Sequence, residues 1–139
     1  MVHLTCLLDT LTPIDCSAVR WLDRDVDFDL ARELWAALQQ ELTYADWVEA
    51  HNLKYTYAAI VEYGKVISLA AEWRYFESAW EVAAVVTREG YRRRGYSKRV
   101  VAFVTAHILQ NGRRPTCTTR DDNTAMLATA KSVGFTVVS

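Results

Sequence analysis

Cysteine, proline and long apolar runs are scarce in this chain of 139 residues, and each scarcity excludes something. Its three cysteines, Cys6, Cys16 and Cys117, are odd in number and lack any Cys-x-x-Cys spacing, so neither a disulfide framework nor a zinc site is expected. A reducing cytoplasm suits such a chain. No apolar run approaches the roughly 20 residues that span a bilayer. The start, Met1-Val2-His3-Leu4, has no basic region ahead of its short apolar stretch, so a secretory signal is not expected either. The formal net charge of -1 argues against a protein built to coat nucleic acid or an acidic membrane.

What the chain does have is apolar mass: 51% of its residues are hydrophobic, enough for one domain, residues 1–139, to bury a core without metals or disulfides. No internal repeat, linker or low-complexity segment interrupts it. Residues 2–8 are weakly strand-like before Pro13 and fit either an extra strand or a leader. Residues 16–22 read as a first strand. Asp23, Asp25, Asp27 and Asp29 follow; without the glycine and terminal glutamate of a calcium loop they read as a helix cap and solvated neighbours. Leu30, Leu34, Leu38 and Leu42 recur every four residues and predict a helix with one buried face. Thr43 and Asp46, three apart, predict the start of a second helix that fades near His51 and Asn52.

Three strands are predicted next, over residues 55–62, 66–76 and 79–87, and the short separations force antiparallel neighbours. A helix over 97–110, a strand over 116–119, a helix over 123–133 and a strand over 135–138 complete the chain. A strand, helix, strand passage requires parallel pairing, so the sheet is expected to be mixed.

The stretch with the most chemistry in it is Arg92-Arg93-Arg94-Gly95-Tyr96-Ser97-Lys98, which follows a strand and opens straight into a helix. Unpaired backbone N–H groups and the positive end of the helix dipole converge there, so the turn reads as an anion cradle suited to a phosphate. A second feature lies further on: Asn123 opens the next helix, and Gly134-Phe135 ends it eleven residues later.

Together, in this order and separation, the two features resemble the GNAT superfamily of acyl-CoA-dependent N-acetyltransferases. The family's phosphate-binding pattern is met by Arg92, Gly95 and the small Ser97, and its later pattern by Asn123, Gly134 and Phe135. The resemblance covers about residues 16–138. It implies an α/β (α+β) fold with a mixed, mostly antiparallel central sheet flanked by helices and splayed between the strands at about 79–87 and 116–119. It also implies acetyl-CoA as cosubstrate, with no metal, and an amine acceptor that is a small molecule or a peptide.

Carried onto this sequence, the resemblance puts the CoA pyrophosphate on the backbone of Arg93, Arg94, Gly95, Tyr96 and Ser97, with Arg92 and Lys98 adding charge. The pantetheine arm would run beside Val85, Val86 and Thr87, with Asn123 on its far side. For the base that relieves the attacking amine of its proton, the strand carboxylates come in the order Glu81, Glu72, Glu62. Many relatives protonate the leaving thiolate with a tyrosine seven residues after the helix-opening Asn. Here that position is Ala130, and Thr129 and Ser132 are expected to project elsewhere, which leaves water or a tyrosine of another element as the donor.

An acyl-CoA-binding sensor is therefore the alternative reading. The family's final strand is also not found after residue 138, and residues 2–8 are expected to fill that sheet edge, from the same chain or from a partner in a homodimer. His3, His51, His107 and Cys117 are expected to be packing or surface residues. Trp35, Tyr44, Trp47 and Tyr55 are expected to line the acceptor side.

Overall fold

The computed structural model describes residues 1–138. Among the described residues seven strands form one sheet in the order β2 (Val19–Trp21), β3 (Tyr55–Glu62), β4 (Lys65–Trp73), β5 (Ala79–Thr87), β6 (Arg114–Thr119), β1 (Val2–Thr5), β7 (Thr136–Val137). Every adjacent pair is antiparallel except β5 with β6. Helices α1 (Phe28–Ala37) and α2 (Tyr44–Asn52) cover one face, and α3 (Tyr96–Gln110) and α4 (Thr124–Val133) the other. The mixed sheet flanked by helices is the architecture the resemblance implied.

Local chemistry accounts for most of these elements. The β3–β4 hairpin closes on Tyr63 and Gly64, both at positive φ, in the two-residue turn whose twist matches the strands. Thr43 caps α2 as expected: its Oγ1 accepts the Asp46 N–H at 3.1 Å, and Asp46 Oδ2 accepts the Thr43 N–H at 3.3 Å. Helix α1 stops earlier than the leucine spacing suggests, because Gln39 turns to φ 60 after Leu38, yet Leu42 still reaches the core from the loop. Strand β4 likewise ends at Trp73 and not at residue 76, leaving Tyr75 and Phe76 on the turn. Two of the four aspartates serve the loop before α1: Asp23 accepts the N–H groups of Asp25 and Val26, and Asp27 accepts the Asp23 N–H and pairs with Arg20; Asp29, inside the helix, pairs with Arg32.

Two cores result, one per sheet face. Val100, Val101, Val104 and Ile108 of α3 pack with Ala130 and Val133 of α4 on one side. Leu34 of α1 and Trp47 of α2 pack with Ala59, Leu69 and Ala71 on the other. At about 25 cal/mol per Å² of apolar area removed from water, these two layers are the main stabilising term.

The N-terminal segment belongs to the sheet of its own chain. Strand β1 lies between β6 and β7, with Val2 opposite Thr119, Thr5 opposite Thr116 and Leu4 opposite Val137. After it, Leu8–Thr10 forms a 3-10 turn and the Thr12 N–H donates to the Val133 carbonyl at 2.8 Å. The slot beside β6 is thus filled without a partner copy. Among the described residues no helix is long and apolar enough to cross a membrane.

Candidate functional site

Strands β5 and β6 pair only at their beginnings, where Ala79, Trp80 and Glu81 lie beside Arg114, Pro115 and Thr116, and then separate. A bulge sits at the separation. The register of β5 on β4 slips by one residue between Leu69 opposite Val86 and Ala71 opposite Ala83, and Ala84 takes φ 49 to absorb the extra residue. An alanine tolerates this left-handed conformation only at a cost, typically about 1 kcal/mol or more, that its surroundings must offset. The split opens a cleft of about 970 Å³ whose walls are Val82 to Val85 and Thr87 of β5, Cys117 to Thr119 of β6, the start of α3 and one face of α4.

One end of the cleft is the basic turn. Arg93 at φ 64 and Gly95 at φ 81 fold the chain back so that α3 begins at Tyr96. The first helical hydrogen bond runs from the Arg99 N–H to the Gly95 carbonyl at 3.2 Å, so the N–H groups of Tyr96, Ser97 and Lys98 have no acceptor within the helix. Three donors and the helix dipole therefore face the cleft mouth, the arrangement that binds phosphate. A Cβ added at Gly95 would meet nothing within 4 Å of the protein; glycine is needed there for its positive φ.

A chain of hydroxyls fastens this turn to the sheet. Ser97 of α3 meets Thr87 of β5 at 2.5 Å, and Thr87 meets the fully buried Ser68 of β4 at 2.7 Å. Arg92 adds a bond from Nε to the Thr87 carbonyl at 3.3 Å. Arg88 works differently: its guanidinium binds Glu33 of α1 and the Val66 carbonyl, tying a helix to the far face.

Of the sequence-predicted cosubstrate residues, the cleft brings together Val85, Thr87, Arg92, Arg93, Gly95, Tyr96, Ser97, Lys98 and Asn123. Two lie elsewhere. Val86 packs its side chain into the core under α1 and α2, because successive strand residues alternate faces. Arg94 sits over the ring of Tyr91, 5.6 Å from its centroid.

Helix α4 supplies the facing wall. Asn123 caps it, its Oδ1 accepting the Met126 N–H at 3.1 Å, which leaves its amide N–H groups for the cleft. Ala130 is fully buried against the core, whereas Thr129 and Ser132 line the cleft, contrary to the expectation that they project away. Helical spacing explains it: residues 125, 128, 129 and 132 share one face, and 130 and 133 the opposite one.

At the vertex, Cys117 is 2% exposed and its thiol is pushed up to about 12, first by burial and then by the charge of Glu81. It is a neutral thiol at physiological pH and a poor nucleophile.

The carboxylates separate cleanly. Glu81 stands where β5 and β6 stop pairing, and its Oε1 accepts from the Thr118 hydroxyl, a cleft-lining residue, at 3.2 Å. Glu72 is placed away from the cleft, which corrects its reading as a reserve base: it is fully buried under α3, with Oε2 2.6 Å from His107 Nδ1 and Oε1 3.1 Å from Arg74 Nε. Glu62 accepts from the Tyr96 phenol at 3.1 Å and steadies the start of α3.

The expected acceptor wall is also revised. Trp47 is core, stacked on Tyr57 with its indole N–H on the Arg24 carbonyl at 2.8 Å. Trp35 meets Tyr57 edge-on, and Tyr44 borders a separate hollow beside α1. Tyr55 does stand near Glu81, in a row with Trp73 and Tyr75 that the sequence reading did not single out.

Solved structures share this fold. A putative GNAT-family acetyltransferase from Novosphingobium aromaticivorans superposes with TM-score 0.78 at 20% identity, over 98% of this chain and 58% of its own, so the present chain spans little more than half its length. A putative acetyltransferase from Agrobacterium tumefaciens matches with TM-score 0.69 at 26% identity, over 85% of this chain and 92% of its own. An aminoglycoside N-acetyltransferase solved with CoA matches with TM-score 0.67 at 19% identity, over 85% of this chain and 90% of its own. No curated protein sequence matches. The FR47-like protein family model matches residues 60–139, more than half of the chain and all of the cleft's strands and helices: the protein belongs to the FR47-like family and carries the GNAT acetyltransferase fold.

Proposed function

We propose that this protein transfers the acetyl group of acetyl-CoA to an amine by direct attack. One observation carries the reading: a helix N-terminus with three free N–H groups opens onto a cleft between two parted strands, and Thr118, which lines that cleft, donates its hydroxyl to the Glu81 carboxylate just outside it.

In this reading the pyrophosphate of CoA rests on the N–H groups of Tyr96, Ser97 and Lys98, with Arg92 and Arg93 adding charge. The arm bonds along β5 from Thr87 to Val85, where the bulge at Ala84 frees backbone groups from β4. Asn123 donates its amide from the other wall. Glu81 accepts the amine proton, directly or through one water; the amine nitrogen bonds to the thioester carbon, the carbon–sulfur bond breaks, and the thiolate takes a proton. The Thr129 hydroxyl, or a water it holds, supplies that proton in place of the tyrosine absent at Ala130; the Ser132 hydroxyl donates to the Thr129 carbonyl at 2.7 Å. The three free cysteines support a reducing, cytoplasmic setting.

Calorimetric titration with acetyl-CoA tests the site, and the expected result is binding that Gly95→Glu abolishes. Absence of binding overturns the proposal. Thiol release over a panel of amines then tests transfer. Binding with no release from any amine assigns the protein as an acyl-CoA sensor instead.

A further inference from the structure

The residues around Glu81 form a second, smaller arrangement outside the CoA cleft. Tyr55, Trp73, Glu81 and Thr116 are cross-strand partners in succession on β3, β4, β5 and β6, so their side chains form one row on one face of the sheet. Tyr55 and Trp73 stack at 5.1 Å with their planes 3° apart. Trp73 is fixed by its indole N–H on the Leu53 carbonyl at 3.1 Å. Tyr75 continues the row at 5.2 Å from Trp73, and its phenol reaches the Thr116 hydroxyl at 3.2 Å, so it arches from β4 to β6 over the position of Glu81.

Within this enclosure Glu81 has one polar partner, the neutral Thr118 hydroxyl, and among the described residues no cation lies in salt-bridge contact with it. Glu72, one register position away, differs: Arg74 forms an ion pair with it, and His107 Nδ1 lies within hydrogen-bond distance. A half-buried carboxylate kept free beside aromatic faces is the chemistry that receives an ammonium group: charge from the carboxylate, quadrupole attraction from the rings. The Tyr55 phenol is raised by burial and then by the charge of Glu81, which agrees with their proximity.

We infer that the acceptor is a monocationic primary amine carrying a flat apolar group, its ammonium on Glu81 and its apolar part on the Tyr55–Trp73–Tyr75 row. The inference rests on the transferase reading of the adjoining cleft and names its acceptor class. Glu81 is the one carboxylate in the row, so a polyamine or a polyaminated sugar would find an ion-pair partner there for only one of its charges. The aromatic wall instead runs from Tyr55 through Trp73 to Tyr75, which is 43% exposed at its outer end. Thr118 joins the two sites, because it holds Glu81 and also lines the cleft, so a bound amine stands next to the end of the acyl arm.

The test is calorimetric titration of the CoA-saturated protein with 2-phenylethylamine and, separately, with spermidine and glucosamine. The expected result is tightest binding of 2-phenylethylamine, by at least about tenfold, with a loss of roughly tenfold in Tyr75→Ala and in Trp73→Ala and near-full retention in Tyr75→Phe. Tyr75 lies on an exposed turn, so its variants report even where Trp73→Ala fails to fold. No binding of 2-phenylethylamine, a preference for spermidine or glucosamine, or an unchanged affinity in Tyr75→Ala overturns the inference. CoA binding in the same samples separates the failures: if CoA itself does not bind, the transferase reading falls, and if it binds normally only the acceptor class does.

Discussion

The carbonyl of Thr10 occupies the space that a Cβ on residue 134 would need. Gly134 also stands at φ 122, so two independent reasons make glycine necessary at the end of α4. The obstacle is backbone, which a rotamer change cannot relieve. Gly134→Ala is expected to lower the unfolding free energy by roughly 2–4 kcal/mol, read as a lower urea midpoint with unchanged slope. An unchanged midpoint would show that the segment around Thr10 yields freely.

Asn123 caps α4, and the proposed function gives its amide a binding duty as well; two substitutions part them. Asn123→Ala loses the cap and should cost about 1 kcal/mol of stability. Asn123→Asp keeps the cap acceptor but replaces an amide donor with a second carboxylate oxygen. It should be as stable as the parent while binding acetyl-CoA more weakly, by an amount near one lost hydrogen bond, about five- to tenfold. Equal affinity in both proteins would remove the amide from the site.

Glu72 and Glu81 should respond in opposite ways to the same change. Glu72→Gln leaves His107 and Arg74 without their shared anion and should destabilise by roughly 1–3 kcal/mol, because those partners are partly solvated. Its turnover should stay within about twofold of the parent, as it touches no reacting group. Glu81→Gln should leave stability nearly unchanged and lower kcat by about 10²- to 10⁴-fold. Steady-state kinetics beside denaturant melts decide the matter; equal turnover in Glu81→Gln would sink its role as base.

For Cys117 the expectation is a pH effect without a catalytic one. Its thiol titrates at about 12 in the fold against an ordinary value of 9.0, so between those values the unfolded chain releases a proton that the folded protein keeps. The unfolded state then binds fewer protons, and stability falls as pH rises above about 9. Cys117→Ala should flatten that part of the stability profile and retain turnover. A covalent acetyl-Cys117 adduct trapped by mass spectrometry would contradict the direct-attack mechanism.

The parts of the site built from neighbours in sequence were legible in the chain. A strand, a basic turn with glycine and a helix start follow one another without interruption, so the phosphate cradle at Arg92 to Lys98 needed no knowledge of the fold. Asn123 and Thr43 announce helix starts by the same local logic. What depended on register was not legible. Glu72 and Glu81 look alike as strand carboxylates, and only the pairing of Trp73 with Glu81 puts Glu72 on the α3 face. The pairing of Tyr55 with Trp73 across β3 and β4 likewise assembles an aromatic row from residues far apart in sequence. The bulge had no marker because it rests on Ala84, where a glycine would have signalled it. The hydroxyl face of α4 was misjudged by one step of helical phase.

Strand β1 has a consequence for how the molecule comes into being. Its residues find their partners on β6 some 115 positions later, as His3 does at Thr118, so closing this contact carries a large loop entropy. During synthesis β1 must wait, unpaired, for β6 and then β7 to emerge, so the sheet beyond β6 is completed late in folding.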